Sequence, residues 1–197
     1  MAKTAANPVA KSFMAPVPIK DILPINVGLS PAQEATMVSI LGSPTIPLTT
    51  SCQNSKASTK VKELMETRAI SPVFRLTGIR PALDSVQRVL RKAFAGNPDL
   101  EKVLSTEGML CVRRRKPTSG GVSKRLSNHS WGTAVDFKIV GFSAPGNTKQ
   151  NVPKFIAILI PFFNEEGWLS GIAFNDSMHF EVADETIKKW SRDGKLV

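Results

Sequence analysis

Ser127-Asn-His129-Ser-Trp131-Gly132-Thr-Ala-Val-Asp136-Phe-Lys-Ile-Val140 is the stretch on which the reading of this chain turns. The alternation from Thr133 to Val140 predicts a strand, with Ala134, Asp136 and Lys138 on one face and Val135, Phe137 and Ile139 on the other. A carboxylate set between Val and Phe in a half-buried strand is costly unless a positive group meets it. His129 precedes the glycine turn that leads into this strand, and Gly132 and Ala134 are small enough to leave room beside the carboxylate. A second stretch, Asp176-Ser-Met-His179-Phe-Glu181-Val182, reads the same way. There His179 and Glu181 share a face, while Met178, Phe180 and Val182 turn to the core. His129 and His179 are the two histidines of the sequence.

Outward from these strands, the first half of the chain reads mainly as helix. Residues 1–28 carry several prolines and no periodicity, and are expected to form an extended arm. Ser30-Pro31 reads as a helix start, with the stop near Gly42. Residues 43–58 read as loop, and a second helix opens at Ser58-Thr59. Pro81 opens the clearest helix, with Leu83, Val86, Val89, Leu90 and Phe94 on one face. A short helix follows through Leu100, Val103 and Leu104. Met109–Val112 is expected as a strand, Arg113–Asn128 as a polar loop around Gly120-Gly121, and Asn147–Gln150 as a further loop. Pro153–Asn164 reads as a buried helix. Ile172–Phe174 and Met178–Val182 read as strands paired across Asn175-Asp176-Ser177, before a last helix over Glu185–Trp190. The expected fold is α+β: a small antiparallel sheet with helices packed on one side and the site in a shallow cleft. Residues 29–197 then form one domain, with a helical part over 29–104 and a sheet part over 105–197.

Composition sets outer limits. The chain has 197 residues and a formal charge of +10, which calls for an anionic partner: nucleic acid, an anionic membrane or an anionic wall polymer. No RNA-binding or zinc-finger spacing accompanies the charge, so nucleic acid is not expected. The longest apolar run, Phe155–Phe163, is about half of what a membrane helix needs and contains Pro161. The apolar stretch after Lys11 is broken by Pro16 and Pro18, so no signal peptide is read, and synthesis in the cytoplasm is expected. Cys52 and Cys111 read as two separate buried thiols, the alternative being a single bridge in an oxidising compartment.

Two histidines and one carboxylate with an open fourth position make a catalytic zinc set. His129, Asp136 and His179 are the residues that fit it. A second carboxylate is needed to take and return a proton, and Asp176, three residues before His179, is placed for that role. Glu181 is read as orienting a ligand or binding substrate. The run Arg113-Arg114-Arg115-Lys116, with Lys124-Arg125, is either a solvated basic loop or a cleft edge that attracts anionic polymer or substrate carboxylates.

Ser127-x-His129-x-x-Gly132-x-Ala134-x-Asp136 resembles the SxHxxGxAxD signature of the zinc D-alanyl-D-alanine carboxypeptidases and dipeptidases, at all five fixed positions. That family also includes the L-alanyl-D-glutamate endopeptidases used as phage endolysins. Asp176-x-x-His179 followed by Phe-Glu is similar to the family's second motif. The resemblance implies one zinc ion held by His129, Asp136 and His179, Asp176 as general base, and an oxyanion-stabilising arginine before the motif. Arg113 is the favoured one of Arg113, Arg114 and Arg115. Ser127, Arg115, Trp131 and Glu181 complete the set as substrate-binding or supporting residues. The implied activity is hydrolysis of peptidoglycan stem peptides in the periplasm or cell wall, by a lysin or an injected toxin with a delivery or immunity partner. A cytosolic D-Ala-D-Ala dipeptidase and a basic nucleic-acid-binding module with a structural metal are the alternatives.

Overall fold

The computed structural model describes residues 7–116, 123–143 and 150–197. Gly120-Gly121 and the loop at 147–149 lie outside the described residues. The chain begins with α1 (Pro8–Phe13), β1 (Pro16–Pro18), α2 (Glu34–Leu41), α3 (Thr59–Leu64), β2 (Met65–Ser71) and β3 (Phe74–Ile79). It continues through α4 (Arg80–Gly96), α5 (Pro98–Val103), β4 (Leu104–Gly108) and β5 (Ala134–Ile139). The last elements are β6 (Asn151–Pro153), α6 (Lys154–Glu165), β7 (Trp168–Ser170), β8 (His179–Val182) and α7 (Asp184–Arg192). No helix among the described residues is long and apolar enough to cross a membrane.

The architecture is α+β, built on a four-stranded antiparallel sheet in the order β4-β5-β8-β7. Alternation gives this sheet two unlike faces. Val135, Phe137, Phe180 and Val182 are buried on one of them, and Phe163 of α6 packs there. The Phe163 and Phe180 rings stack 4.2 Å apart, and Phe137 meets both at 5.7 and 6.1 Å. Each such ring contributes about 1.5–3 kcal/mol on leaving water. The amphipathic helix α4 buries Leu83, Val86, Val89 and Leu90 and contacts α6. Behind it, Trp168 donates its indole hydrogen to the Ser85 hydroxyl at 2.8 Å. The opposite face of the sheet carries Asp136, His179 and Glu181.

Several local expectations are corrected. The first 28 residues carry the helix α1, and β1 pairs with β6, so they are not simply extended. The helix expected at Ser30 starts at Glu34, because the preceding segment is taken by contacts with α7: Gln33 N–H donates to Asp184 Oδ1 and Ser30 N–H to Glu185 Oε2. Between α3 and α4 the chain forms a β-hairpin, β2–β3, where no strand was expected. Met109–Val112 is not a strand; β4 lies earlier and ends in a bulge between Thr106 and Gly108. β8 pairs with β5 and β7 rather than with Ile172–Phe174, and Gly171–Phe174 closes into a 3₁₀ turn.

The room that Gly132 leaves is taken by backbone. Its φ of +62° is left-handed, and a Cβ there would lie 2.9 Å from the Gly78 Cα. The hairpin backbone therefore occupies the space that the missing side chain leaves.

Cys52 and Cys111 form a disulfide, which overturns the reading of two separate thiols. The bond ties the loop at 49–54 to the extended segment 109–114. Four hydrogen bonds run beside it, from Gln53 N–H to Val112 O at 2.8 Å, Arg114 N–H to Thr49 O at 2.8 Å, Val112 N–H to Asn54 Oδ1 at 3.0 Å and Asn54 Nδ2 to Leu110 O at 3.4 Å. The cysteines stand 59 residues apart, so the cross-link removes a large closure entropy from the unfolded chain. The double replacement Cys52→Ser/Cys111→Ser is expected to lower unfolding stability by about 2–4 kcal/mol. Urea denaturation of the two proteins under non-reducing conditions measures this.

Candidate metal centre

Antiparallel register brings the key groups together. Asp136 on β5 lies directly opposite His179 on β8, and Ala134 opposite Glu181, so all four share one sheet face. His129 comes from a 3₁₀ turn, Asn128–Trp131, just before β5. That turn is anchored on both sides: Ser130 N–H donates to Ser127 O, and Cys111 N–H donates to His129 O at 3.0 Å. His129, Asp136 and His179 each present one donor atom, and these atoms lie within 4.8 Å of one another.

The outer nitrogens of both imidazoles are occupied. His129 Nδ1 is 2.9 Å from the Met109 carbonyl oxygen, which can only accept. Nδ1 therefore carries a hydrogen, and Nε2 points inward, 3.2 Å from Asp136 Oδ2 and 3.3 Å from His179 Nδ1. His179 is arranged with its nitrogens exchanged. Its Nε2 lies 3.0 Å from Glu181 Oε2, and its Nδ1 lies 2.9 Å from Asp136 Oδ1. Asn128 Nδ2 donates to the same Glu181 oxygen at 2.7 Å, fixing that carboxylate. Such outer partners set the tautomer and direction of metal-binding histidines. Once both imidazoles are neutral, two nitrogens and one carboxylate converge on one point, a donor set that suits zinc.

Electrostatics agree with a cation site. Burial alone pushes the Asp136 carboxyl up, but hydrogen bonds from His129 and His179 outweigh it and hold it far below the usual carboxylate range. Burial pushes His179 down, yet the carboxylates of Asp136 and Glu181 raise it to about 10. In the metal-free protein a proton therefore sits on His179 where a cation would replace it, so metal binding releases a proton and weakens as pH falls. Replacing Glu181 with Gln removes the acceptor charge behind His179. Zinc affinity is expected to drop about 10–100-fold, measured by competition with a chromophoric chelator.

The half-buried Asp176 lies in the turn before β8. Its N–H donates to Gly171 O at 2.9 Å, and its carbonyl accepts from His179 N–H at 3.1 Å. Burial first, and Asp136 among its neighbours, raises the Asp176 carboxyl above its ordinary value, while His179, His129 and Arg113 act the other way. Of the three arginines, Arg113 is the one whose charge is felt at Asp176, and its guanidinium donates to Arg114 O at 3.2 Å. Its half-buried guanidinium is lowered by burial and supported by the charges of Asp136 and Asp176. Arg114 turns away to the carbonyls of Leu48 and Lys124. The exposed Arg115 reaches the Leu126 carbonyl at 3.0 Å, and its charge is felt at Glu181. Ser127 is buried at the head of the 3₁₀ turn, where its N–H donates to Arg113 O.

Trp131 is not brought to the site. It is 0% exposed and donates its indole hydrogen to Gly42 O at 2.8 Å, so no substrate can stack on it. Two contributors had no signal in the sequence: the Met109 carbonyl, which any residue could supply, and Asn128, whose role depends on the β5–β8 register.

No curated protein matches the chain. Over residues 121–182, the stretch that holds His129, Asp136, Asp176 and His179, the chain matches the family model described as D-alanyl-D-alanine carboxypeptidase, the zinc peptidase family that its motifs resemble.

Proposed function

We propose that the chain is a zinc-dependent peptidase that hydrolyses the peptide stems of bacterial peptidoglycan outside the cytosol, as a lysin or an injected toxin. The observation that carries this reading is the pairing of each histidine's outer nitrogen with a fixed acceptor, Met109 O or Glu181 Oε2. The opposite nitrogens are left to converge with the Asp136 carboxylate.

His129 Nε2, His179 Nδ1 and an Asp136 oxygen would hold the ion. Zinc, when bound, supplies a Lewis acid for a carbonyl oxygen and brings the pKa of water to about 7. Asp176 takes a proton from the water that adds to the carbonyl carbon and returns it to the amine that leaves when the C–N bond breaks; its raised pKa suits both steps. Arg113 sets positive charge beside Asp136 and Asp176, where negative charge develops on the substrate oxygen. The +10 surface favours encounter with an anionic wall polymer.

The disulfide weighs against the alternative of a cytosolic D-Ala-D-Ala dipeptidase, since such bonds persist in oxidising compartments. Digestion of purified sacculi, with mass analysis of the released fragments, tests the proposal. Wild type should release defined fragments whose masses name the bond, and Asp176→Asn should not. Release of nothing by the zinc-loaded wild type would contradict it.

A further inference from the structure

Phe174 differs from the phenylalanines of the core. Phe137, Phe155, Phe163 and Phe180 are fully buried, whereas Phe174 is 44% exposed. It ends the 3₁₀ turn Gly171–Phe174, two residues before Asp176. Its ring meets the His179 imidazole edge-on, with centroids 5.7 Å apart at 64°.

The ring rests on a fixed base. A Cβ at Gly171 would lie 3.0 Å from Phe174 Cε2, 3.0 Å from His179 Cβ and 2.3 Å from the Asp176 carbonyl oxygen. Only a bare α-carbon lets the ring and the Asp176–His179 turn close on each other. Asn175, at φ 60°, then reverses the chain, and its N–H donates to Ile172 O at 3.1 Å. One exposed aromatic on a surface is ordinary. This one is held against a histidine of the cluster, beside the acid Asp176. Arg113, whose charge acts on both Asp136 and Asp176, adds a cation.

We infer that Phe174 is the apolar wall on which the site holds the methyl group of an alanine next to the scissile bond. This inference rests on the peptidase reading above and adds a specificity determinant to it. An exposed apolar ring held against His179, in the turn that leads to Asp176, suits a peptide in which a small apolar side chain adjoins the bond that is cut. A glycine in place of that alanine leaves the wall without its contact, while the groups that act on the peptide bond are untouched.

The test is cleavage kinetics of a stem pentapeptide, and of the same peptide with each alanine in turn replaced by glycine. Zinc-loaded wild type is compared with Phe174→Ala, Phe174→Leu and the polar, similarly long Phe174→Gln. Wild type should favour alanine over glycine at one position by about fourfold in kcat/KM, the worth of one methyl group leaving water, and chiefly through KM. Phe174→Ala and Phe174→Gln should abolish that preference with one zinc retained per chain, and Phe174→Leu should restore most of it. If Phe174→Ala does not fold, Phe174→Gln gives the same reading. A wild-type protein that cuts without discrimination overturns this inference alone. So does a Phe174→Gln variant that keeps the wild-type ratio. A zinc-loaded wild type that cuts none of the peptides overturns the peptidase reading, and this inference with it.

Discussion

Asp136→Asn is expected to leave the protein folded and to abolish both zinc retention and peptide hydrolysis. The fold should survive because the backbone of Asp136 keeps its bonds: Thr106 donates its hydroxyl hydrogen to Asp136 O at 2.8 Å, and the residue stays opposite His179 in the sheet. The site should not survive. The Asp136 carboxylate lies 3.2 Å from His129 Nε2 and 2.9 Å from His179 Nδ1, so it is the shared anionic member of the donor set. An amide keeps its shape but offers no charge to a divalent ion. Zinc affinity should fall by more than about 100-fold, beyond the upper end of what loss of an outer partner costs. Metal analysis after dialysis against a weak chelator, with circular dichroism on the same sample, reads both halves of the expectation.

Asp176→Asn should separate binding from chemistry. Asp176 is not one of the three converging donors, so one zinc per chain should remain. What is lost is a carboxyl group that can carry a proton, worth about 10²–10⁴ in kcat. The pH profile carries the sign. A general base acts when deprotonated, so activity falls as pH falls through the Asp176 pKa. Burial raises that pKa, so the acidic limb of kcat/KM should lie above the ~3.9 of an ordinary aspartate. Wild-type rates from pH 4 to 9 check the limb. An Asp176→Asn variant with kcat within threefold of wild type would remove Asp176 from the chemistry.

The site was more legible in the sequence than the scaffold. Asp136 on β5 and His179 with Glu181 on β8 follow from strand alternation, because a period of two decides faces without tertiary information. The same alternation sends Phe180 to the core, but its stacking on Phe163 of α6 depends on how the helix packs. The hairpin β2–β3 was not legible: Met65-Glu-Thr-Arg-Ala-Ile-Ser71 is mostly polar and half-exposed, and its strand state comes from pairing with Phe74–Ile79. Gly132 was read as leaving space for backbone and ligand; backbone takes that space, and sequence cannot say that the neighbour is Gly78. Trp131 shows the same limit from the other side. A tryptophan is more often core or cleft wall than a substrate stacker, although its place within the motif gave Trp131 a claim to substrate. Its side chain is in the core, facing α2's end at Gly42. The disulfide depended on the loop at 49–54 lying alongside residues 109–114, a pairing no local pattern encodes.

Zinc K-edge X-ray absorption on the purified, zinc-loaded protein reads the ligand set itself. One zinc per chain is expected, with two imidazole nitrogens and the remaining ligands oxygen, at about 2.0–2.2 Å and with no sulfur. Zinc absent at stoichiometric loading, or a sulfur ligand at about 2.3 Å, would contradict a centre built from His129, Asp136 and His179.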